Sequence, residues 1–281
     1  MGVTARWMLE VAYRGTDFHG FATQPGQRTV AGELADALAR LARLDTPPHL
    51  VCAGRTDTGV HATGQVVHVD LPSPMPKGRE GELGPAQVVT SLNRQLGGSI
   101  SVRSARIVDA SFDARHSARW RRYRYLIHES AVPDPLLAGL AWKVPGPLDV
   151  RSMSQAIGVF LGSHDFRSFC RRAPGTTSAE PIIRHVTDAA VEALSPSGAA
   201  DLVSGRLVRI EIQASSFCHQ MVRSLVAQVV EVGRGRSNAA ELVALLRSTS
   251  REGAAQPAPP EGLCLIGVGY DAGLPETPST P

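Results

Sequence analysis

Arg55, Thr56, Asp57 and His61 fall within one short glycine-bounded stretch, GRTDTGVHATGQ (54–65), directly after the apolar residues Val51, Cys52 and Ala53. A connecting turn calls for the glycines and an aspartate. It does not call for an arginine and a histidine as well. Asp57 is therefore either a turn residue or a reagent, a lone carboxylate with an arginine two residues away. The strand-like run QVVHVD follows at once, so the motif reads as a loop between two strands.

A second concentration of chemistry lies further on. Between Arg103 and Arg124 stand seven arginines (103, 106, 115, 119, 121, 122 and 124) against Asp109 and Asp113, and Arg167, Arg171 and Arg172 follow. Within RWRRYRY the arginines interleave with aromatics, a mixture suited to gripping a phosphate backbone while stacking on bases. A solvated strand edge with alternating arginines is the other reading. A third feature is Arg223. A helix read from Ser216 to Gly233 puts Phe217, Met221, Val222, Leu225 and Val229 on an apolar stripe, and Ser216, His219, Gln220 and Arg223 on another side. Arg223 then either points to water or projects into a cleft towards a carboxylate, for which Asp57 is the obvious partner.

The elements that must position these groups follow a repeated plan. RWMLEVAYRG alternates as a strand, with Trp7, Leu9, Val11 and Tyr13 on one face. Val30, Leu34, Ala37, Leu38 and Leu41 recur at helical spacing behind Thr29, an N-cap. Strands enter and leave the GRTD loop, a helix begins near Pro85, and SISVRSARIV is a strand. The second half repeats the pattern. It has a strand at RWRRYRYLIH, a helix from Asp149 to Gly162, strands at RHVTDAAVEAL and RLVRIEIQA, the helix from Ser216, a short helix at NAAELVALLRS, and a last strand at LCLIGVGYD. Two α+β halves result, a domain over 1–110 carrying the GRTD loop and a second over 111–271, with 272–281 a disordered tail. The proline-rich loops LPSPMPKGREGELGP and QPAPPEG are expected to be mobile.

Several classes are set aside. No phosphate-cradling G-x-x-x-x-G-K-[ST] loop, G-x-G-x-x-G turn, H-E-x-x-H helix or G-x-S-x-G elbow occurs. The four cysteines (52, 170, 218 and 264) show no C-x-x-C and no paired spacing, so free thiols without zinc are expected. With 43% hydrophobic and 20% charged residues the chain reads as globular, and no apolar run suits a membrane span. MGVTARWMLEVAYRG lacks the apolar core of a signal peptide, so a cytoplasmic location is expected. A net charge of +3 says little by itself. What remains is an isolated carboxylate with arginine and aromatic company, and a reaction needing neither metal nor cofactor.

GRTDTGVHATGQVVHVD closely resembles the catalytic motif of the tRNA pseudouridine synthase A family, G-R-T-D-x-G-V-H-A. The resemblance continues, in the family's order, through YRGTDFHGF, ARHSARWRRYRYLI, FLGSHDFRSF, FCHQMVRSLV and APPEGLCLIGVGY. It implies two ferredoxin-like halves joined around a mixed, mainly antiparallel sheet with a central RNA-binding cleft. It also implies a homodimer acting on the anticodon arm of tRNA, at positions 38, 39 and 40. In the same terms, Asp57 is the catalytic aspartate and Arg55 engages the RNA as the uridine flips. Tyr123 stacks on the target base, Arg223 partners Asp57, and Leu265 lies against the base. Arg119, Arg121, Arg171 and Arg172 are the backbone candidates. Three stretches depart from the family's pattern: Phe21-Ala22 where G-W-Q continues, Leu96–Ile100 where L-P-x-D-I stands, and Phe112–Arg115 for F-H-A-R. None removes a catalytic position.

The implied chemistry matches the residues. Converting uridine to pseudouridine breaks the C1′–N1 bond, turns the uracil and rejoins it through C5; N1 gains a proton and C5 loses one. One carboxylate suffices, as nucleophile at the sugar or the base, or as the base starting an elimination. Glycosidases usually need two carboxylates. A hydrolase and a non-catalytic tRNA-binding module are the rival functions.

Overall fold

The computed structural model describes residues 3–75, 83–171, 180–194 and 203–270. Its ten described strands, mostly antiparallel, and five α-helices form an α+β protein. The chain divides into two compact units, Met1–Arg119 with Leu265–Pro281, and Trp120–Cys264.

In the first unit, β1 (Thr4–Tyr13) pairs antiparallel with both β3 (His61–Pro72) and β4 (Ile100–Val108), and the short β2 (Val51–Cys52) adds to β3. β1 is buried from Trp7 to Val11, so both of its faces are covered, unlike a half-solvated strand. Helix α1 (Val30–Ala42) starts where Thr29 accepts the Gly32 amide at 3.2 Å, as its cap position predicts. α2 (Pro85–Gln95) opens with proline in its first turn, where a missing amide costs nothing. Arg40 of α1 reaches Gln95 of α2 at 2.9 Å. Asn93 ties α2 to β4 by bonding both backbone groups of Val102 at 2.8 Å.

In the second unit, β5 (Trp120–Glu129), β9 (Arg206–Ala214), β8 (Ile183–Leu194) and β7 (Gly162–Asp165) run in that order, all antiparallel, with β6 (Trp142–Val144) parallel to β5. Burial alternates strictly along the first eight residues of β5, with Arg121, Tyr123, Tyr125 and Ile127 inward. α3 (Val150–Ile157), capped by Asp149, gives way to a 3-10 turn instead of continuing to Gly162. Its neighbours are β8 and α4 (Met221–Gly233), while α5 (Ala239–Ser248) packs on the Arg167–Phe169 turn. Phe160, Phe166 and Phe169 meet there, with the Phe160 and Phe169 rings 5.2 Å apart. Truncating one such phenylalanine to alanine removes about 3–5 kcal/mol.

Three expectations need correction. The helix at 216 begins five residues late, because Gln220 takes a left-handed backbone (φ 60°) that no helix contains. Ser216, His219 and Gln220 therefore share no helical face with Arg223. The segment QPAPPEG is not loose: Ala258 is buried, its amide donates to the Arg223 carbonyl at 3.0 Å, and Tyr125 Oη donates to the Pro259 carbonyl at 2.8 Å. Cys170 and Cys218 form a disulfide, with Cα atoms 5.8 Å apart, where free thiols were expected. The Arg171 amide, donating to the His219 carbonyl at 3.0 Å, brings the two segments alongside. Residues 76–82 of the loop at 71–85, and the tail after Tyr270, lie outside the described residues. No helix among the described residues is long and apolar enough to cross a membrane. β10 (Leu263–Gly269) is the last described strand and lies beside β3.

Candidate active site

Asp57 sits in the loop between β2 and β3, and this loop is held at almost every residue. The Ala53 amide donates to the Val66 carbonyl at 2.8 Å, and Gln65 Nε2 donates to the Gly54 carbonyl at 2.7 Å. The Thr56 hydroxyl bonds Tyr13 Oη at 2.7 Å, and the Thr56 carbonyl accepts the Phe21 amide at 3.1 Å. The Asp57 carbonyl accepts the Val60 amide at 3.1 Å, closing a tight turn. Asp57 itself is half-buried and Arg55 exposed.

The segment after β1 forms the other wall of this loop. Gly20 has φ +86°, a backbone that side chains rarely adopt, and an added Cβ would lie 2.9 Å from the Thr56 carbonyl. The Gly15 amide donates to His61 Nδ1 at 3.0 Å. His61 is buried, and that bond makes Nδ1 the acceptor, leaving Nε2 to carry the proton of the neutral ring. His61 thus anchors the backbone next to the loop. Phe21 is 2% exposed and packs on Tyr13 at 6.1 Å.

The charges around the loop are legible in two neighbours. Burial pushes the Cys52 thiol up to about 11, with Arg55 acting against the shift, so Cys52 is an inert core thiol. Burial, and then the Arg6 charge, hold the His68 imidazole below its ordinary value. His68 Nδ1 accepts the Ala114 amide at 2.9 Å, and Tyr270 Oη donates to the Ala114 carbonyl at 2.8 Å. The departed FDAR stretch is thus pinned within the first unit. Leu265 is fully buried on β10, and the carbonyl of the next residue, Ile266, crowds Gly64 so closely that no side chain fits there.

The second unit carries the aromatic and the remaining arginines. Tyr123 is 8% exposed and meets Phe217 edge-on, ring centroids 5.2 Å apart. Arg121 shares its face, is equally buried, and donates Nη1 to the Ser215 carbonyl at 2.8 Å. Arg122 and Arg124 lie on the opposite face, bonding Gln213 at 3.0 Å and Glu211 at 2.8 Å across the ladder. Arg223 is half-buried, with Nε donating to the Ala258 carbonyl at 2.6 Å. Arg119, in the first unit, and Arg171 are exposed. Burial and the Arg171 charge hold the Arg251 guanidinium below its usual value, which marks a basic neighbourhood. Arg172 lies outside the described residues.

Arg55 and Asp57 thus share one loop of the first unit, and Arg121 and Tyr123 one strand face of the second. Sequence reasoning missed Tyr13, Gln65 and Phe217. The available signal was Gln65 itself, a glutamine amid strand valines that is 0% exposed.

The geometry can be set beside known proteins. A family described as tRNA pseudouridine synthase matches residues 156–271. The chain is 41% identical to tRNA pseudouridine synthase A of Cutibacterium acnes, covering 94% of this chain and 88% of that one. It is 40% identical to that of Gloeobacter violaceus (96% and 81%) and 41% identical to that of Frankia casuarinae (94% and 89%). A solved Cbf5-Nop10-Gar1 complex overlaps 80% of this chain and 54% of its own at 13% identity, with a TM-score of 0.29 too low to bear on the fold. The relatives define an isomerase of the pseudouridine synthase class. Within that class, the chain belongs to the tRNA pseudouridine synthase A family.

Proposed function

We propose that this protein isomerises uridine to pseudouridine in the anticodon arm of tRNA, at positions 38, 39 and 40, with Asp57 as the reagent and no cofactor or metal. Membership of the family supports the reaction. The observation that carries the role of Asp57 is its loop, an intact GRTD held by bonds from β3 and from the segment after β1. A reagent must be held in place before its substrate arrives, because misplacement by about 1 Å can cost on the order of a hundredfold in rate.

Around that centre each side chain takes a role of its own type. Arg223 is the basic partner of Asp57. Tyr123 stacks on the flipped base, worth roughly 1–3 kcal/mol, against an unstacking cost of a few kcal/mol. Arg55 engages the RNA as the uridine leaves its stack, and Leu265 gives the base an apolar wall. Arg119, Arg121, Arg171 and Arg172 are the backbone grips, of which Arg119 and Arg171 are the exposed ones described. Water must be excluded, or the freed uracil is lost to hydrolysis. The working form is a homodimer in the cytoplasm, where tRNA is found.

One assay separates this proposal from its rivals. Uridine carrying tritium at C5 loses it when C5 becomes the glycosidic carbon. Incubation with such tRNA should release tritium while the base stays in the RNA. Free uracil would mark a hydrolase, and bound but unchanged tRNA a binding module.

A further inference from the structure

Three side chains around the GRTD loop are buried and joined to one another: Tyr13 on β1 at 5% exposure, Thr56 in the loop at 6%, and Gln65 on β3 at 0%. Tyr13 Oη lies 2.7 Å from Thr56 Oγ1 and 3.3 Å from Gln65 Nε2, and Gln65 Nε2 lies 2.7 Å from the Gly54 carbonyl. Gln65 Nε2 donates to both Tyr13 Oη and the Gly54 carbonyl, and the Tyr13 and Thr56 hydroxyls share a hydrogen bond in which either can donate. The bonds therefore link Gln65 through Tyr13 to Thr56, with a branch to Gly54.

These bonds hold the loop on both sides of Arg55, at Gly54 and at Thr56, and Thr56 is the residue before Asp57. The far side of Asp57 is closed by the Val60 amide on its carbonyl. Gln65 is an expensive residue for its place. Its neighbours Val66, Val67 and Val69 are fully buried, and its own Oε1 is buried with no hydrogen-bond partner among the described residues. Burying an amide oxygen unpaired carries a free-energy cost that an apolar residue at that strand position would avoid. The bond to Gly54 and Tyr13 is what such a residue provides in exchange.

We propose that Tyr13 and Gln65 are positioning residues that fix the backbone of Asp57 through Thr56 and Gly54. This rests on the reading of Asp57 as the reagent. Neither side chain needs to touch the substrate. Their effect is on where the carboxylate stands, so it appears in the rate of the bound complex and not in the affinity for tRNA.

The test uses full-length protein, tRNA tritiated at uridine C5, and four variants read together: Tyr13→Phe, Thr56→Val, Thr56→Ser and Asp57→Asn. Tyr13→Phe removes one oxygen, and Thr56→Val removes the hydroxyl while keeping the branch. Each should slow single turnover at saturating enzyme by about tenfold or more, with tRNA affinity within about twofold of the parent. Thr56→Ser, which restores the hydroxyl, should return most of the rate, and this rescue separates loss of the bond from general loosening. Parent-like rates in both Tyr13→Phe and Thr56→Val, with Asp57→Asn inactive, would overturn the inference and leave the reagent standing. So would rate losses matched by equal losses of tRNA affinity. Turnover by Asp57→Asn would instead remove the reading of Asp57 on which the inference depends.

Discussion

Arg223 and Ala258 are joined twice. Arg223 Nε donates to the Ala258 carbonyl at 2.6 Å, and the Ala258 amide donates to the Arg223 carbonyl at 3.0 Å. The guanidinium on α4 is therefore aimed by the proline-rich segment ahead of β10, and that segment is in turn held by the helix. A mobile loop would do neither. The consequence is that replacing Arg223 has two effects, loss of a charge and loss of an anchor.

Arg223→Met should be nearly inactive and less stable. If the guanidinium also pairs with Asp57, the double variant Asp57→Ala/Arg223→Met should be less destabilised than the sum of the single changes, by roughly 0.5–3 kcal/mol. Urea melts of the four proteins check this. Additive losses would mean the two side chains do not interact.

Grip and chemistry should separate on and beside β5. Arg119 is exposed, so Arg119→Gln should lower the slope of log affinity for tRNA against log salt by roughly 0.7–0.9, while sparing the rate of bound substrate. Tyr123→Leu should leave that slope alone and cut the single-turnover rate. Arg121→Gln loses a buried bond to Ser215 and should also lower the melting temperature, which makes Arg119 the cleaner probe. The same slope change and rate loss in Arg119→Gln and Tyr123→Leu would end this division.

What the sequence made legible was whatever repeats locally. The alternation of β5, the Thr29 and Asp149 caps, and the apolar stripe of α1 all rest on neighbours a few residues apart. The start of α4 was not legible, because an apolar period cannot register that Gln220 is left-handed. β6 and β7, of three and four residues, are too short to show a period. The GRTD motif stood out, but its supports did not. Tyr13 and Gln65 act through bonds spanning 43 and 52 residues of chain, and nothing in a run of valines says what a glutamine among them will meet.

Stability should depend on His68 below neutral pH. Its folded value lies under the unfolded one near 6.5, so below that pH the unfolded chain binds more protons and stability falls with pH. The contribution is complete above the unfolded value and is lost as the pH drops towards the folded one. His68→Asn keeps an acceptor for the Ala114 amide without titrating. Melting curves from pH 7.5 to 5 should be flatter for this variant, and identical slopes would contradict the assignment.

The disulfide makes a countable prediction. Of the four cysteines, Cys52 and Cys264 lie outside the disulfide, so protein treated with oxidised glutathione and then denatured should label at two thiols, and at four after reduction. Closing a loop between residues 48 apart restricts the unfolded chain by about 4 kcal/mol in the loop-entropy account, so reduction should lower the melting temperature. Four reactive thiols in the oxidised sample would show that the pair does not form.

The most direct test of the whole account is Asp57→Asn. The substitution keeps the size and turn-forming character of the side chain and removes its charge, so the bonds that hold Gly54 and Thr56 are left in place. The measurement is tritium release from C5-labelled tRNA in a single turnover, alongside tRNA binding and a mass spectrum to exclude deamidation. The account predicts folded protein that binds tRNA as the parent does and releases no tritium. Substantial release by intact Asp57→Asn would contradict it.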